Sequence, residues 1–217
     1  MVRSLVWWFG IVLILANFAA AQAGISPDIP QPGSIEAIAA ATGDSQYLSP
    51  WVSYLPDSKT VPSPLTFLGR IAGAPGELAG TEKTYGYLRA LAAASPRVKV
   101  FPIGHSEEGR EILLIAIADE AGIRNLDHLK AATAALADPR VTDQAAAEKL
   151  ITTARPIYYL NAALHSDETG STEAVLELAY RLAVSEQPMI RRSREQLVVL
   201  INPISNPDGR DKVVDWF

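Results

Sequence analysis

The sequence predicts an α/β domain in which helices cover both faces of a central sheet. Its 217 residues are 48% apolar, which is enough for one substantial core. Its last third alternates strand and helix patterns, and the two strand patterns, at residues 156–164 and 196–204, are nearly continuous apolar runs. Such runs are typical of parallel strands that are buried on both faces of the sheet.

The elements before this last third follow in chain order. Residues 24–80 contain eight of the fifteen prolines and predict an irregular lead-in without long elements. Residues 81–94 then predict a helix, with Thr81 as its cap and apolar residues along one face. Two strands joined by a hairpin-like connection and two alanine-rich helices complete this part, at residues 98–103, 112–118, 123–137 and 142–154.

The last third predicts a parallel crossover in which a helix over residues 171–184 joins the two apolar strands. Parallel neighbours end at the same edge of a sheet, so His165 and the turn Asn206-Pro-Asp-Gly209 are expected at one rim. Ligand sites in open α/β sheets lie beyond the carboxyl ends of the strands. We therefore expect His165 to lie in a cleft.

Residues 1–23 have the features of a signal peptide. Arg3 precedes an apolar segment at residues 5–18, and Ala21-Gln-Ala23 fits a cleavage site. A retained membrane anchor is the alternative interpretation, but the apolar segment is short for a span and Asn17 interrupts it. We expect a secreted or periplasmic protein that starts near Gly24 and has no stable membrane insertion after signal cleavage.

Composition narrows the partners and the chemistry. The net charge of −5 gives no electrostatic reason to expect a nucleic-acid partner. The absence of cysteine excludes disulfides, thiolate nucleophiles and cysteine-ligated metal. Any metal must therefore be held by His, Asp or Glu, and the only histidines are His105, His128 and His165. The sequence does not predict the oligomeric state.

The sequence His165-Ser-Asp-Glu168 is the strongest candidate site. An imidazole and a carboxylate three residues apart, between a strand and a helix, suit half of a Zn2+ site; a catalytic zinc site has three protein ligands and a water. A strand-end histidine satisfied by the backbone, beside an acid favoured at a helix N-terminus, explains the same residues. Asp167 is a competing carboxylate, although it is expected to point elsewhere.

Other sequences carry weaker signals. His105-Ser-Glu-Glu108 has almost the same letters, but it lies between two predicted strands and no helix follows it. We interpret it as a polar connection in which Arg110 pairs with Glu107 or Glu108. His128 lies in a polar helix, where a solvated position is expected. The composition of Asn206-Pro-Asp-Gly209 indicates a tight turn.

Three sequences together resemble the zinc carboxypeptidase family of the carboxypeptidase A type. They are Ile103-Gly-His-Ser-Glu-Glu-Gly-Arg-Glu-Ile112, His165-Ser-Asp-Glu168 and Asn202-Pro-Ile-Ser-Asn-Pro-Asp-Gly209. The resemblance covers roughly residues 80–217. It implies a three-layer α/β/α fold with a mixed, mainly parallel sheet of eight strands, and a metallocarboxypeptidase activity on a peptide substrate. It also implies Zn2+ as the cofactor, with His165 and Glu168 as the first two ligands.

The sequence departs from the family in two respects. Many members carry an arginine immediately before the ligand glutamate, whereas this chain has Asp167. The family's third ligand, a histidine, and its general-base glutamate come later than residue 217. We therefore interpret residues 81–217 as the N-terminal half of a truncated catalytic domain, preceded by the lead-in at residues 24–80, and expect the chain alone to be inactive.

These observations leave three functions open. The first is a zinc metallocarboxypeptidase acting on exported or extracellular peptides. Asp167 keeps open a zinc amidase or deacylase that acts on cell-wall peptides or other amides. A non-catalytic exported binding module is the third, and zinc content would distinguish it. Half of an eight-stranded sheet also predicts that the last strand, around residues 197–201, is an apolar edge that favours aggregation.

Overall fold

A computed structural model describes residues 27–217 of the chain. The predicted signal peptide, residues 1–23, lies outside this range. The chain divides into two compact units, one that extends to Asp57 and one that runs from Ser58 to Phe217. Within residues 27–217, the helices are all too short or too polar to cross a membrane.

The described part of the first unit is short and rich in proline. Its helical elements are α1 (Ser34–Ala41) and a single 3-10 turn (Ser45–Tyr47). Its two ends meet at an isolated β-bridge between Pro30 and Pro56. Because proline has no backbone N–H to donate, a longer ladder is disfavoured here.

The second unit contains the sheet. The described strands are β1 (Val98–His105), β2 (Glu111–Ile117), β3 (Ile157–Asn161) and β4 (Val198–Asn202). The helices are α2 (Pro64–Leu68), α3 (Thr81–Ala94), α4 (Glu120–Arg124), α5 (Leu126–Ala137), α6 (Gln144–Ile151), α7 (Gly170–Val184), α8 (Pro188–Gln196) and α9 (Pro207–Trp216). Every predicted strand and helix is present, whereas α1, α2, α8 and α9 have no counterpart among the predicted elements.

The four strands form a mixed sheet in the order β1-β2-β4-β3. β1 and β2 form the predicted antiparallel hairpin, and β2 is also antiparallel to β4. β3 and β4 are parallel neighbours, which confirms the crossover. The mixed α/β sheet is thus confirmed, and among the described strands its parallel part is the β3–β4 pair.

The position of β4 shows that one prediction was wrong. β4 is not an edge strand, because it lies between β2 and β3, and all of its residues except Leu200 are buried. The outer strand beside β4 is β3, whose Ile157, Tyr158 and Tyr159 are 44%, 58% and 53% exposed, and β1 forms the other edge of the sheet. The two strands have similar apolar compositions, so composition could not identify the outer one; the pairing order decides it.

Helices pack on both faces of the sheet and produce three layers. On one face, Ile123, Leu126 and Leu129 of α4 and α5 pack around Ala116 of β2 and Val198 of β4. Side chains alternate along a strand, so the neighbours of these strand residues point to the opposite face, where they are buried. Because α3 contacts β1 and α7 contacts β2, these two helices cover that second face.

Candidate metal centre

The candidate zinc residues lie on the loop that follows β3. This strand ends at Asn161, and β4 ends beside it at the register partner Asn202. Beyond the strands, the backbone N–H of Asn206 donates to the carbonyl of Ala163 (3.2 Å), which joins the two loops. His165 and the Asn206 segment therefore lie at the same edge of the sheet, as the parallel crossover predicts.

The loop after β3 packs closely on the first turn of α9, where Ser166 meets Gly209. A Cβ added at Gly209 would overlap Ser166 Oγ and would lie 3.0 Å from Ser166 Cβ. A residue with a side chain would thus force this loop and α9 apart. The glycine of the Asn-Pro-Asp-Gly sequence is required by this close approach of the loop that carries residues 165–168.

The backbone turns sharply two residues before His165. Ala163 has a φ of 48°, the only positive φ of a non-glycine residue in the described part of the chain. This left-handed conformation costs a residue with a Cβ roughly 1–2 kcal/mol. Ser171 supports the turn, because its Oγ accepts the N–H of Ala163 (3.0 Å) and donates to the carbonyl of Glu168 (3.2 Å).

His165 and Glu168 fit half of a zinc site by their chemistry. The N–H of Glu168 donates to the carbonyl of His165 (3.2 Å), so both belong to one tight loop. Both residues are exposed, and within residues 27–217 neither side chain is engaged in a hydrogen bond or ion pair. Imidazole nitrogen and carboxylate oxygen are common zinc ligands, and in these two residues neither group is occupied by another partner from the described part of the chain. The described residues leave His165 exposed and do not enclose it in the expected cleft.

A third donor is not found in the described part of the chain. No group of three His, Cys, Asp or Glu side chains within residues 27–217 is placed to hold a metal ion. Asp167, the competing carboxylate, is exposed on the same loop. The loop therefore supplies two donors, with Asp167 as a neighbouring charge.

Ion pairs distinguish the similar sequence at residues 105–108. Glu108 pairs with Lys212 and with Arg110 (2.6 Å), which confirms the predicted pairing of Arg110. Hydrogen bonds from Lys212 and Arg110 lower the pKa of Glu108. The Glu108 carboxylate is thus already occupied by two ion pairs. His105 and Glu108 therefore do not form a pair of side chains free to bind a metal. His128 is exposed on α5, as expected.

Arg110 is the centre of a group that we call the surface cluster: Glu108, Arg110, Asp208, Asp211 and Lys212. Arg110 contacts Asp208 (2.8 Å) and Asp211 (3.0 Å) as well as Glu108. A hydrogen bond from the Ser106 hydroxyl (2.6 Å) is the main cause that lowers the pKa of Asp208. The cluster joins the β1–β2 connection to α9.

The Asn-Pro-Asp-Gly sequence, interpreted as a tight turn, forms the first turn of helix α9, which the sequence analysis did not predict. Asn206 Oδ1 accepts the N–H of Gly209 (3.0 Å), and Pro207 occupies the first position of the helix. An asparagine N-cap followed by proline is a common helix start. This signal was present in the sequence.

A second group, which we call the buried cluster, consists of Arg70, Glu173 and Arg210. Glu173 contacts Arg70 (2.9 Å) and Arg210 (3.2 Å), and its side chain is 4% exposed. Burial raises the pKa of Glu173, but hydrogen bonds from Arg70 and from the N–H groups of Ala79 and Gly73 hold it below its ordinary value. Sequence reasoning missed this cluster because its members lie far apart in the chain.

Comparisons with known proteins identify the family. The zinc carboxypeptidase family model matches residues 84–215, which is more than half of the chain. No match was found among curated proteins. Three similar solved structures are carboxypeptidase A from Helicoverpa armigera (21% identity, TM-score 0.46), bovine thrombin-activatable fibrinolysis inhibitor (12%, 0.41) and a metallo-carboxypeptidase from Burkholderia cenocepacia (19%, 0.40).

These likenesses cover 63%, 63% and 60% of this chain, in the same order. They cover 26%, 34% and 27% of the solved chains, so this chain spans about a third of their length or less. The family model includes the segment that carries residues 165–168 and the start of α9. On the match to that model, the chain belongs to the zinc carboxypeptidase family.

Proposed function

We propose that this chain is part of a zinc-dependent metallocarboxypeptidase that hydrolyses peptide bonds of exported or extracellular peptides. The observation that carries the proposal is the uncommitted pair His165 and Glu168 at the carboxyl edge of β3 and β4, in a member of the zinc carboxypeptidase family. These two residues are the first two zinc ligands.

When bound, zinc supplies a Lewis acid and makes water a better nucleophile at neutral pH. His165 offers a neutral imidazole nitrogen, and Glu168 offers an anionic oxygen that offsets part of the metal's charge. The turn at Ala163, held by Ser171, fixes the backbone on both sides of these donors. The protein's contribution at this edge is thus to bind and orient.

A catalytic zinc site uses three protein ligands and a water, and no group of three such ligands is found within residues 27–217. We therefore propose that residues 24–217 alone bind zinc weakly and hydrolyse no peptide at a measurable rate. The assay is hydrolysis of simple peptides with free C-termini in the presence of added Zn2+. Substantial zinc-dependent hydrolysis by residues 24–217 would contradict this prediction.

Zinc affinity tests the ligand assignment directly. The purified chain is titrated with Zn2+ in competition with a coloured chelator. His165→Ala and Glu168→Gln are each expected to lower the affinity about ten-fold or more, because each removes one donor. His105→Ala is the matched control, since it removes an exposed histidine from the similar sequence whose glutamate is committed to ion pairs.

An unchanged zinc affinity in His165→Ala would overturn the assignment. An equal loss in His105→Ala would also contradict it, because the metal would then bind at the wrong histidine or at no defined site. A chain that holds no zinc at all would favour the non-catalytic exported binding module.

A zinc amidase or deacylase on cell-wall peptides is the second candidate, and Asp167 favours it. Asp167 is exposed beside Glu168, where many family members carry an arginine, so its charge favours a basic or modified group over a free C-terminal carboxylate. Equilibrium binding of peptidoglycan stem peptides and of simple C-terminal peptides to the zinc-loaded chain separates the two functions. Asp167→Arg is expected to shift the preference towards the free C-terminal carboxylate.

We further propose that residues 1–23 direct export and are then removed. The proposal is supported by Arg3, the apolar segment that follows it, and Ala21-Gln-Ala23. N-terminal sequencing of the protein recovered from the periplasm or medium should find Gly24 first. Recovery with the apolar segment intact in the membrane fraction would favour the retained anchor.

A further inference from the structure

The buried cluster contacts the backbone at the end of the loop that carries residues 165–168, which we call the candidate metal loop. Glu173 lies in the first turn of α7, and its carboxylate accepts hydrogen bonds from the N–H of Ala79 (2.8 Å) and of Gly73 (3.2 Å), as well as from Arg70. One buried carboxylate on α7, the helix that follows the loop, thus binds the segment that precedes α3.

Arg210 extends this cluster to the loop itself. Its side chain is fully buried in the first turns of α9. Each of its three nitrogens donates to one acceptor: Nε to the carbonyl of Ala79 (3.0 Å), Nη2 to Glu173 Oε1 (3.2 Å) and Nη1 to the carbonyl of Thr169 (3.2 Å). Thr169 immediately follows Glu168, so a fully buried cation holds the peptide carbonyl next to a candidate zinc ligand.

We propose that Arg210 is a positioning residue that holds the loop of residues 165–168 in its zinc-binding geometry through the carbonyl of Thr169. This inference rests on the proposed function, because it takes Glu168 as a ligand. Groups that orient ligand residues typically change metal affinity about 10–100-fold when they are removed. Glu173 and Arg70 act behind Arg210, since they fix the guanidinium.

The guanidinium is suited to this role and an ammonium is not. Its donors lie in a rigid planar fork, so one side chain satisfies acceptors on three segments at once. A lysine at this position keeps the positive charge opposite Glu173 but loses the fixed fork. We therefore expect Arg210→Lys to preserve the fold better than Arg210→Met, while it releases Thr169.

Arg194 offers a matched control. It is also buried, and it donates to two backbone carbonyls, those of Leu182 and Ser185, and to the carboxylate of Glu186. Arg194 lies in α8, at the edge of the sheet where β4 begins. The candidate metal loop lies at the opposite edge, where β4 and its parallel neighbour β3 end. Arg194→Met thus reproduces the loss of a buried arginine away from the loop.

The test uses two measurements on the full chain and its variants Arg210→Lys, Arg210→Met and Arg194→Met. Amide hydrogen exchange is followed in residues 164–170 without metal, and Zn2+ affinity is measured by chelator competition. Both Arg210 variants are expected to speed exchange in residues 164–170 more than in β2 and β4, and to weaken Zn2+ binding about ten-fold. Arg194→Met should leave both properties of the loop unchanged.

Equal exchange in residues 164–170 of the Arg210→Lys and Arg194→Met variants would overturn the positioning role, whatever happens to zinc. If the wild-type chain shows no Zn2+ binding that depends on His165, the proposed function fails, and the exchange measurement still decides whether Arg210 holds the loop. If Arg210→Met does not fold, Arg210→Lys alone carries the comparison.

Discussion

Helix α9 is attached to the rest of the second unit by two ion clusters of opposite design. In the buried cluster, one carboxylate, Glu173, lies between the guanidinium groups of Arg70 and Arg210. In the surface cluster, one guanidinium, that of Arg110, lies among three carboxylates, two of which, Asp208 and Asp211, belong to α9. The central charge is negative in the buried cluster and positive in the surface cluster, and the surface cluster is more accessible to water.

The difference teaches that burial, more than the number of ion pairs, decides what such a cluster contributes. An exposed pair is screened by water and salt, so its net contribution is small. A buried charge has lost its hydration, so removing its partner leaves a large uncompensated cost. We therefore expect the buried cluster to contribute much to the free energy of unfolding. The surface cluster is expected to contribute little and mainly to hold the β1–β2 connection in place.

The largest effect is expected for Glu173→Gln. This change leaves the buried guanidinium of Arg210 without its carboxylate, so the free energy of unfolding should fall by about 3–5 kcal/mol. Urea unfolding followed by circular dichroism measures the loss. Glu82→Gln, on an exposed position of α3, is the control and should change the free energy by less than about 0.5 kcal/mol. Equal losses would break the comparison.

The contribution of Glu173 should also appear in the pH dependence of the free energy of unfolding. The pKa of Glu173 is lower in the folded protein than in the unfolded chain, so the unfolded chain binds more protons as the pH falls. Its stabilising contribution is present above the unfolded pKa of about 4.3 and is lost as the pH falls through the folded pKa. The free energy of unfolding, measured from about pH 6 to pH 3, should therefore decline.

The variant isolates the part of this decline that is due to Glu173. Asp208 and Glu108 also have lowered pKa values and contribute to the wild-type decline. Glu173→Gln keeps those groups, so its stability should fall less steeply than that of the wild type over the same pH range. Parallel curves for the two proteins would show that Glu173 does not stabilise the fold through its charge.

The smallest effect is expected for the surface cluster. Arg110→Met removes the central guanidinium and should lower the melting temperature less than Glu173→Gln does, because water hydrates the remaining carboxylates. The difference from the wild type should shrink as NaCl rises from about 0.05 M to about 0.5 M. A loss that equals that of Glu173→Gln, or that ignores salt, would show that this cluster is effectively buried.

Local sequence patterns predicted most of the regular structure. Helix α3 covers the predicted residues, although its N-cap is Gly80 and the prediction of Thr81 as the cap was wrong, and all four strands were found from their apolar runs. The edge position predicted for β4 was wrong, because β3 and β4 have similar apolar compositions and their positions depend on pairing with distant β2. Helix α8 was missed because its surface is strongly polar and lacks an apolar stripe.

The candidate site was predicted only in part. The spacing of His165 and Glu168 and their position after a strand are local features, and the structure places both on one exposed loop. The support behind this loop is not local: Arg70 and Arg210 meet Glu173 from 103 and 37 residues away. An arginine after a turn reads as a solvated charge, so nothing in the sequence marked Arg210 as fully buried.

The parallel register of β3 and β4 has a consequence for how the protein folds. Ile157 pairs with Val198, about forty residues later, whereas the hairpin of β1 and β2 joins residues close in the chain. Closing the longer segment costs more chain entropy before any contact forms. We expect the hairpin to gain amide protection first during refolding. If residues 165–168 bind zinc as proposed, zinc capture during refolding should follow closure of this crossover and come after the hairpin has formed.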